Sequence, residues 1–255
     1  MKRSAVRPSP LFLGLLAITV AGAVMTSLGD QARTFDDPVV IAGTVLFVLG
    51  GWAVSLCLHE FGHAVVAYRG GDYAVKARGY LTLDIRHYTD PIMSLVLPLV
   101  LLAFGGIPLP GGAVWINHHA LRNKRVESLV SLAGPLSNLV LGALLSLSVL
   151  LFEPPVGLSA ALSYLALLQV LAFVLNILPV PGLDGWGVIE PWMSYQAQQF
   201  GAKARPWAPL VLFAVLLAFP AVAAIFFRLS YAVFGLVGGE ELWAGLGQGT
   251  FMFWR

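Results

Sequence analysis

The sequence predicts an all-α polytopic membrane protein of about five to six transmembrane helices, with a re-entrant, partly β segment near residues 92–116. Three observations carry that expectation. The 255-residue chain is 58% hydrophobic and only 11% charged, where a soluble domain averages about 45–50% apolar and about 25% charged. Its apolar residues gather into long runs free of Asp, Glu, Lys and Arg, and one of those runs is broken by prolines and paired glycines. So few charges cannot coat a soluble globule, and a net charge of +2 is too small to call for a nucleic acid or another polyanion. The single Cys57 excludes a disulfide framework and a cysteine-based zinc cluster.

The charge-free runs are 11–28, 39–58, 129–152, 156–183 and 206–227. A hydrocarbon core of about 30 Å takes about 20 helical residues, so each is long enough, or nearly so, to span. Polar stretches at 30–38, 153–155 and 190–205 separate them. The first run also fits a signal peptide, because Lys2, Arg3 and Arg7 precede it and Ala21-Gly22-Ala23 is a small-residue cleavage pattern. Under either reading 30–38 lies outside. Lys and Arg concentrate in the N-terminal tail, in 69–90, in 118–125 and at Lys203 and Arg205. Basic loops stay inside, so these segments are expected on the cytoplasmic side of a cell membrane of bacterial cytoplasmic type.

Residues 92–116 carry no charge, but Pro91, Pro98, Pro108 and Pro110 and the pairs Gly105-Gly106 and Gly111-Gly112 interrupt them. Both flanks are basic, so both are expected inside and the segment re-entrant. Such backbone is tolerated at membrane depth only where protein buries it or where it lines a water-filled cavity. A short Pro-kinked helix followed by a surface loop is the plainer alternative. The aromatic C-terminal tail (Trp243, Phe251, Phe253, Trp254, Arg255) reads as an interfacial anchor.

Ionisable groups at the end of an apolar helix are functional candidates. The second run leads straight into His59-Glu60-Phe61-Gly62-His63. On a helix, His59 and His63 project from one face about one turn apart and can share a Zn2+ at about 2.0–2.1 Å each. Glu60, beside the first histidine, is placed to take a proton from water activated by the metal. Zinc needs a third protein ligand. The extended His-Glu-x-x-His-x-x-Gly-x-x-His pattern fails, because Val66 and Arg69 stand at its last two positions. Asp84, His87, His118 and His119 fall in basic loops and read as solvated. Asp184 closes the run 156–183, which is expected to cross outside to inside just as 39–58 does, so it arrives on the same side as the histidines. Taken alone it also reads as one exposed acid after a Pro-Gly turn.

Three segments together resemble the site-2 protease family of intramembrane zinc metalloproteases. They are His59-Glu60-Phe61-Gly62-His63, then Ala133-Gly134-Pro135-Leu136-Ser137-Asn138, then Asn176 to Pro179 with Leu183-Asp184-Gly185. The motif-bearing core covers 52–185 of a single membrane-embedded metalloprotease domain expected over 1–255. The resemblance implies Zn2+ as cofactor, His59, His63 and Asp184 as its ligands, and Glu60 as catalytic base. It also implies Asn138 and Asn176 as polar support for substrate or oxyanion. The run 105–116 is similar to the family's re-entrant strand region, and its edge at Gly112, Ala113, Val114, Trp115 and Ile116 could take an unwound substrate by strand addition. The implied activity is hydrolysis of a peptide bond within or near a transmembrane helix of a membrane-protein substrate in the lipid bilayer, as in regulated intramembrane proteolysis. Trp186 departs from the small residue common after Leu183-Asp184-Gly185 and is expected at the pocket rim. The interval from Asn138 to Asn176 is too short for a PDZ domain, and a nucleotide-sensing domain is not expected. Substrate choice is therefore expected to rest on the membrane core or on a regulatory membrane partner. A metal transporter and an inactive relative serving as a scaffold are the competing readings; the first does not need Glu60, and the second would lack one of the four residues that are present.

Overall fold

A computed structural model describes residues 6–28, 35–88 and 114–255. Helix α1, Pro10–Leu28, starts where the Ser9 hydroxyl accepts from the Phe12 amide at 3.0 Å and Pro10 takes the first turn, where its missing N–H costs nothing. Helix α2, Pro38–Gly70, is capped by Asp37, which accepts from the Val39 amide at 2.8 Å, and stops at Gly71 with φ 125°. Its 33 residues rise to about 50 Å at about 1.5 Å each, well past the bilayer core, and carry the His-Glu-x-x-His segment as uninterrupted helix. The two helices approach closely through small residues. A Cβ on Gly22 would meet the Phe47 amide and the Gly43 carbonyl, and one on Gly50 would meet the Thr19 hydroxyl.

Helix α3, Lys124–Phe152, begins at Asn123, whose side chain accepts from the Val126 amide at 3.0 Å, and ends at left-handed Glu153. Helix α4, Val156–Asn176, is buried along most of its length and is the centre of the bundle, in contact with α2, α3 and the two C-terminal helices described below. The fourth charge-free run is thus helical only to Asn176. Pro179 and Pro181 disfavour helix at the residues before them, Gly182 takes φ 97°, and the chain turns before the short helix α5, Asp184–Ile189.

Helix α6, Tyr195–Ala204, follows a Ser194 cap. The run 206–227, expected as one span, is two helices, α7 (Ala208–Ala218) and α8 (Pro220–Leu236), divided at Phe219 because Pro220 cannot continue the helix before it. The last helix, α9, is Glu241–Phe251. Helices α6 and α7 meet at 68°, and α8 and α9 at 117°. Among the described residues, four helices are long and apolar enough to cross a bilayer, or up to six if each bent pair is one span. The helical membrane fold is therefore as expected.

The C-terminal tail is more than an interfacial anchor. Helix α9 folds back on α4, Phe251 and Met252 are buried, and the Phe251 ring lies 5.6 Å from that of Tyr164. A Cβ on Gly247 would strike the Ala160 carbonyl, so glycine is what lets the two backbones touch. Phe253 and Trp254 remain exposed.

Most of the expected re-entrant segment, 92–113, lies outside the described residues, and with it Gly112 and Ala113. Val114, Trp115 and Ile116 are non-helical chain, with no β ladder among the described residues. The flanks are informative. Tyr88 and Val114 pack into one cluster with Cys57, Leu58 and Phe61, so the chain leaves and re-enters at the end of the bundle that carries His59. The N-terminal tail joins them there: the Ser9 amide donates to the Thr82 carbonyl at 2.8 Å and that of Arg7 to the Leu81 carbonyl at 3.3 Å.

Candidate metal centre

His59 and His63 lie on the inner face of α2 with Nε2 atoms 3.2 Å apart and rings nearly perpendicular at 78°. Each ring is fixed from behind. The His63 Nδ1–H donates to the Val130 carbonyl at 2.7 Å, and His59 Nδ1 lies 2.5 Å from Asn138 Oδ1. Both partners are oxygens that only accept, so both protons sit on Nδ1 and both Nε2 lone pairs are free for a metal.

Asp184 supplies the third donor. Its Oδ2 is 3.2 Å from His59 Nε2 and its Oδ1 3.4 Å from His63 Nε2. The broken chain after Asn176 makes this possible, because it sets Asp184 at the start of α5 rather than beyond a continuous helix. Gly185 is seated tightly there, since a Cβ would strike the Ile177 carbonyl. Four ligands at about 2.0–2.1 Å in a tetrahedron stand about 3.3–3.4 Å from one another. The Nε2–Nε2 separation of 3.2 Å matches that edge, and Asp184 brings one carboxylate oxygen to each histidine, at 3.2 and 3.4 Å, so two imidazoles and a carboxylate can face one Zn2+. His59, His63 and Asp184 form such a group among the described residues.

Helix α3 covers the centre without a side chain. A Cβ on Gly134 would meet Nε2 of both histidines, and one on Gly62 of α2 would meet Ser137 Oγ and the Ala133 carbonyl. The Ala133-Gly134-Pro135 segment is thus the close crossing that lets α3 deliver Asn138 and the Val130 carbonyl.

Glu60 is 2% exposed. The Val114 amide hydrogen-bonds its carboxylate, and Oε2 has no hydrogen-bond partner among the described residues. Burial of an acid at such cost is characteristic of a functional group. A cleft of about 350 Å³ opens onto the centre; Trp52, Val114, Ile116, Asn176 and Arg205 are among its walls. Asn176 is buried at the end of α4 and faces that cleft. Asn138 is held at both ends, by His59 and by Gln169, whose Oε1 accepts from its Nδ2 at 2.7 Å.

Asp84 departs from expectation. It is buried rather than solvated, and Arg86 reaches it at 2.7 Å, so the loop itself neutralises it away from the histidine pair. His87 and His119 are exposed. His118 stands at the cleft rim with Nδ1 2.8 Å from Glu127. Trp186 is not at the rim: it is buried, and its ring fills the space that a Cβ on Gly201 would need. Gln169 and the Val130 carbonyl were not singled out in the sequence. Gln169 was findable as an amide within the apolar run 156–183; a backbone carbonyl leaves no signature.

Comparison with known proteins places this site in context. The chain is 45% identical over 255 residues to "Putative zinc metalloprotease Rip2" of Mycobacterium tuberculosis, covering 99% of this chain and 96% of that protein. It is 43% identical to the protein of the same name from Mycolicibacterium smegmatis over the same extents. "Putative zinc metalloprotease YwhC" of Bacillus subtilis is 33% identical over 148 residues, 54% of this chain and 64% of that one. No protein-family model and no solved structure matches the chain.

Proposed function

The chain belongs to the site-2 protease family, as a multi-pass membrane metalloprotease whose metal is zinc, and we propose that it hydrolyses a peptide bond within or beside a transmembrane helix of another membrane protein. One observation carries the reading. Two Nε2 atoms and a carboxylate, with the buried acid Glu60 beside them whose Oε2 has no hydrogen-bond partner among the described residues, lie where an apolar helix reaches the end of the bundle.

In this reading His59, His63 and Asp184 hold the metal. Bound there, Zn2+ supplies Lewis-acid polarisation of the scissile carbonyl and acidifies a coordinated water toward a pKa of about 7. Glu60 takes the proton from the attacking water and returns it to the leaving amine. Oε2, without a hydrogen-bond partner among the described residues, is the atom free to do so. Asn176, on the cleft wall, is the carboxamide available to a developing oxyanion, whereas Asn138 orients His59. A peptide bond in a transmembrane helix is shielded by its own hydrogen bonds, so the substrate must unwind. The chain at Val114 and Ile116 borders the cleft and can receive the unwound backbone.

The lipid bilayer is the setting. Arg7, the loop after α2 and residues 118–125 gather at the histidine end, which supports an active site toward the cytoplasm of the cell membrane. Substrate selection by a regulatory membrane partner, and a place in regulated intramembrane proteolysis, belong to the same proposal.

The deciding experiment compares purified wild-type protein with Glu60→Gln for zinc content and for cleavage of a model transmembrane peptide in proteoliposomes. The amide is near-isosteric and cannot act as a base, so zinc and fold should persist while turnover falls about 10²–10⁴-fold. Turnover close to wild type in Glu60→Gln would remove Glu60 from the mechanism. Absence of zinc from the wild-type protein would remove the metalloprotease reading of this site.

A further inference from the structure

Among the described residues, Arg205 is the one lysine or arginine that lines the cleft opening onto the metal centre. It follows the last residue of α6, and its backbone fixes where it stands. The Arg205 amide donates to the Gly201 carbonyl at 2.9 Å. The Arg205 carbonyl is the atom that a Cβ on Gly182 would meet, at 2.8 Å. Gly182 comes two residues before Asp184, a chain distance of at most about 7.6 Å. The arginine is therefore built against the turn that carries a metal ligand.

Its side chain is engaged once. Nη2 donates to Glu190 Oε2 at 3.0 Å, and the guanidinium has no other partner among the described residues. A guanidinium carries five N–H donors, so most of that capacity is open. The pair is also lopsided: the Arg205 side chain is 53% exposed and that of Glu190 19%. An incoming chain meets the cation at this wall more than the acid. The other acids of the cleft, Glu60 and Asp184, belong to the metal centre.

We infer that Arg205 is a specificity residue for the proposed proteolysis: it pairs with a carboxylate on the substrate segment that passes the mouth of the cleft, and so selects membrane proteins with an Asp or Glu just beyond the cleaved stretch. The inference rests on the reading of this cleft as a protease site whose histidine end faces the cytoplasm.

Arginine suits the task because its planar fork takes a carboxylate through two parallel N–H bonds, where a carboxamide offers a single acceptor oxygen. Cytoplasmic flanks of membrane proteins are rich in Lys and Arg. Those residues give a guanidinium nothing to bind and set two cations side by side. Most membrane helices thus present the wrong chemistry at this wall, and an acidic flank marks the minority that fit. Backbone pairing along Val114 and Ile116 accepts any sequence, so discrimination needs a side chain of this kind.

The test uses the full-length protein in zwitterionic proteoliposomes. Three model transmembrane peptides share one apolar core and are flanked at both ends by two Glu, two Gln or two Lys residues. Wild type should cleave the Glu peptide with kcat/KM about fivefold above the Lys peptide, as expected for gaining one exposed ion pair and losing one like-charge contact. Arg205→Gln should bring the three within about twofold, and Arg205→Glu should reverse their order. Glu190→Gln removes the competing carboxylate and should widen the gap. If the arginine served only to tie α6 to Glu190, Arg205→Gln and Glu190→Gln would lower all three peptides alike and leave their ratio unchanged. That result would overturn the inference, and so would equal cleavage of the three by wild type. Activity that follows added anionic lipid and ignores the flank would assign Arg205 to a phosphate headgroup and overturn it as well. The same panel is measured as binding of fluorescent peptide to Glu60→Gln. No cleavage by wild type, with the Glu preference intact in binding, would count against the protease reading and support the role of Arg205. Equal binding of the three peptides, or no binding, would overturn that role.

Discussion

Gly134 lies so close to His63 that a Cβ on the glycine would overlap Nε2 of the imidazole, the atom that faces the metal position. The same Cβ would meet Nε2 of His59. Helix α3 can therefore cross the site only where it has no side chain. Gly134→Ala should displace both imidazoles and lower zinc affinity about 10–100-fold, as loss of a ligand's support does. Gly14→Ala is the matched control, since nothing lies within 4 Å of a Cβ there. Metal analysis and chelator competition on the two variants check the difference. Normal zinc in Gly134→Ala would mean that the helices separate freely.

Zinc should be present at about one ion per chain and should be lost from His63→Ala and from Asp184→Ala. The geometry is specific about the acid, because Asp184 reaches both Nε2 atoms while Asp84 is occupied by Arg86. Asp84→Asn should accordingly retain zinc. Stripping the wild-type metal with a chelator should abolish peptide cleavage, and adding Zn2+ back should restore it. Full zinc in Asp184→Ala would point to a different ligand.

Much of this could be read from the sequence, for reasons that differ by element. The apolar runs set α1, α2 and α3, because length and lack of charge are all that a lipid solvent demands. The spacing of His59 and His63 set their juxtaposition, because the helix repeat alone decides it. Asp184 was legible as a candidate because two runs of the same sense end on one side, although α4 stops at Asn176 and the turn carries the acid the rest of the way. The run 206–227 misled, since a charge count does not weigh Pro220, and the return of α9 onto α4 depends on contacts between residues far apart in sequence. The burial of Asp84 was hidden for a like reason, as its partner Arg86 makes a charged loop look solvated.

That ion pair gives a pH prediction outside the membrane. The Arg86 guanidinium and backbone amide hold the Asp84 carboxyl below its ordinary value of 3.8. A depressed carboxyl contributes stability that is fully present above its unfolded value and is lost as pH falls through the folded one. Arg86→Met should lower the melting temperature of the detergent-solubilised protein at pH 7. The gap to wild type should close as pH falls below about 4, where the reference carboxyl itself protonates. Arg86 is two-thirds exposed, with its side chain at 67%, so solvent screening keeps the effect modest. A gap that persists unchanged into acid would mean that the arginine acts by packing alone.

The chain that borders the cleft has a direction, and it can be tested residue by residue. Trp115 offers its carbonyl to Arg78 at 3.2 Å, and the Asn117 amide donates to Asp72 at 2.8 Å, both toward the loop after α2. The Val114 amide points the other way, to Glu60. Successive residues of an extended chain turn their backbone groups to opposite sides, so Ile116 shares the sense of Val114 and faces the cleft that it lines. If an unwound substrate pairs here, Ile116→Pro should cut cleavage of the model peptide about tenfold or more, because it removes a ladder donor. Ile116→Ala keeps the donor and should be mild. Neither should alter zinc content, because no ligand lies in the segment. Val114→Pro should be at least as severe, since it also takes a hydrogen bond from Glu60, whereas Val114→Ala should again be mild. Ile116 is thus the cleaner position, where the base is untouched and only substrate pairing is at stake. Equal activity in Ile116→Pro and Ile116→Ala would rule out strand pairing at this residue and leave the segment to hold Glu60 alone.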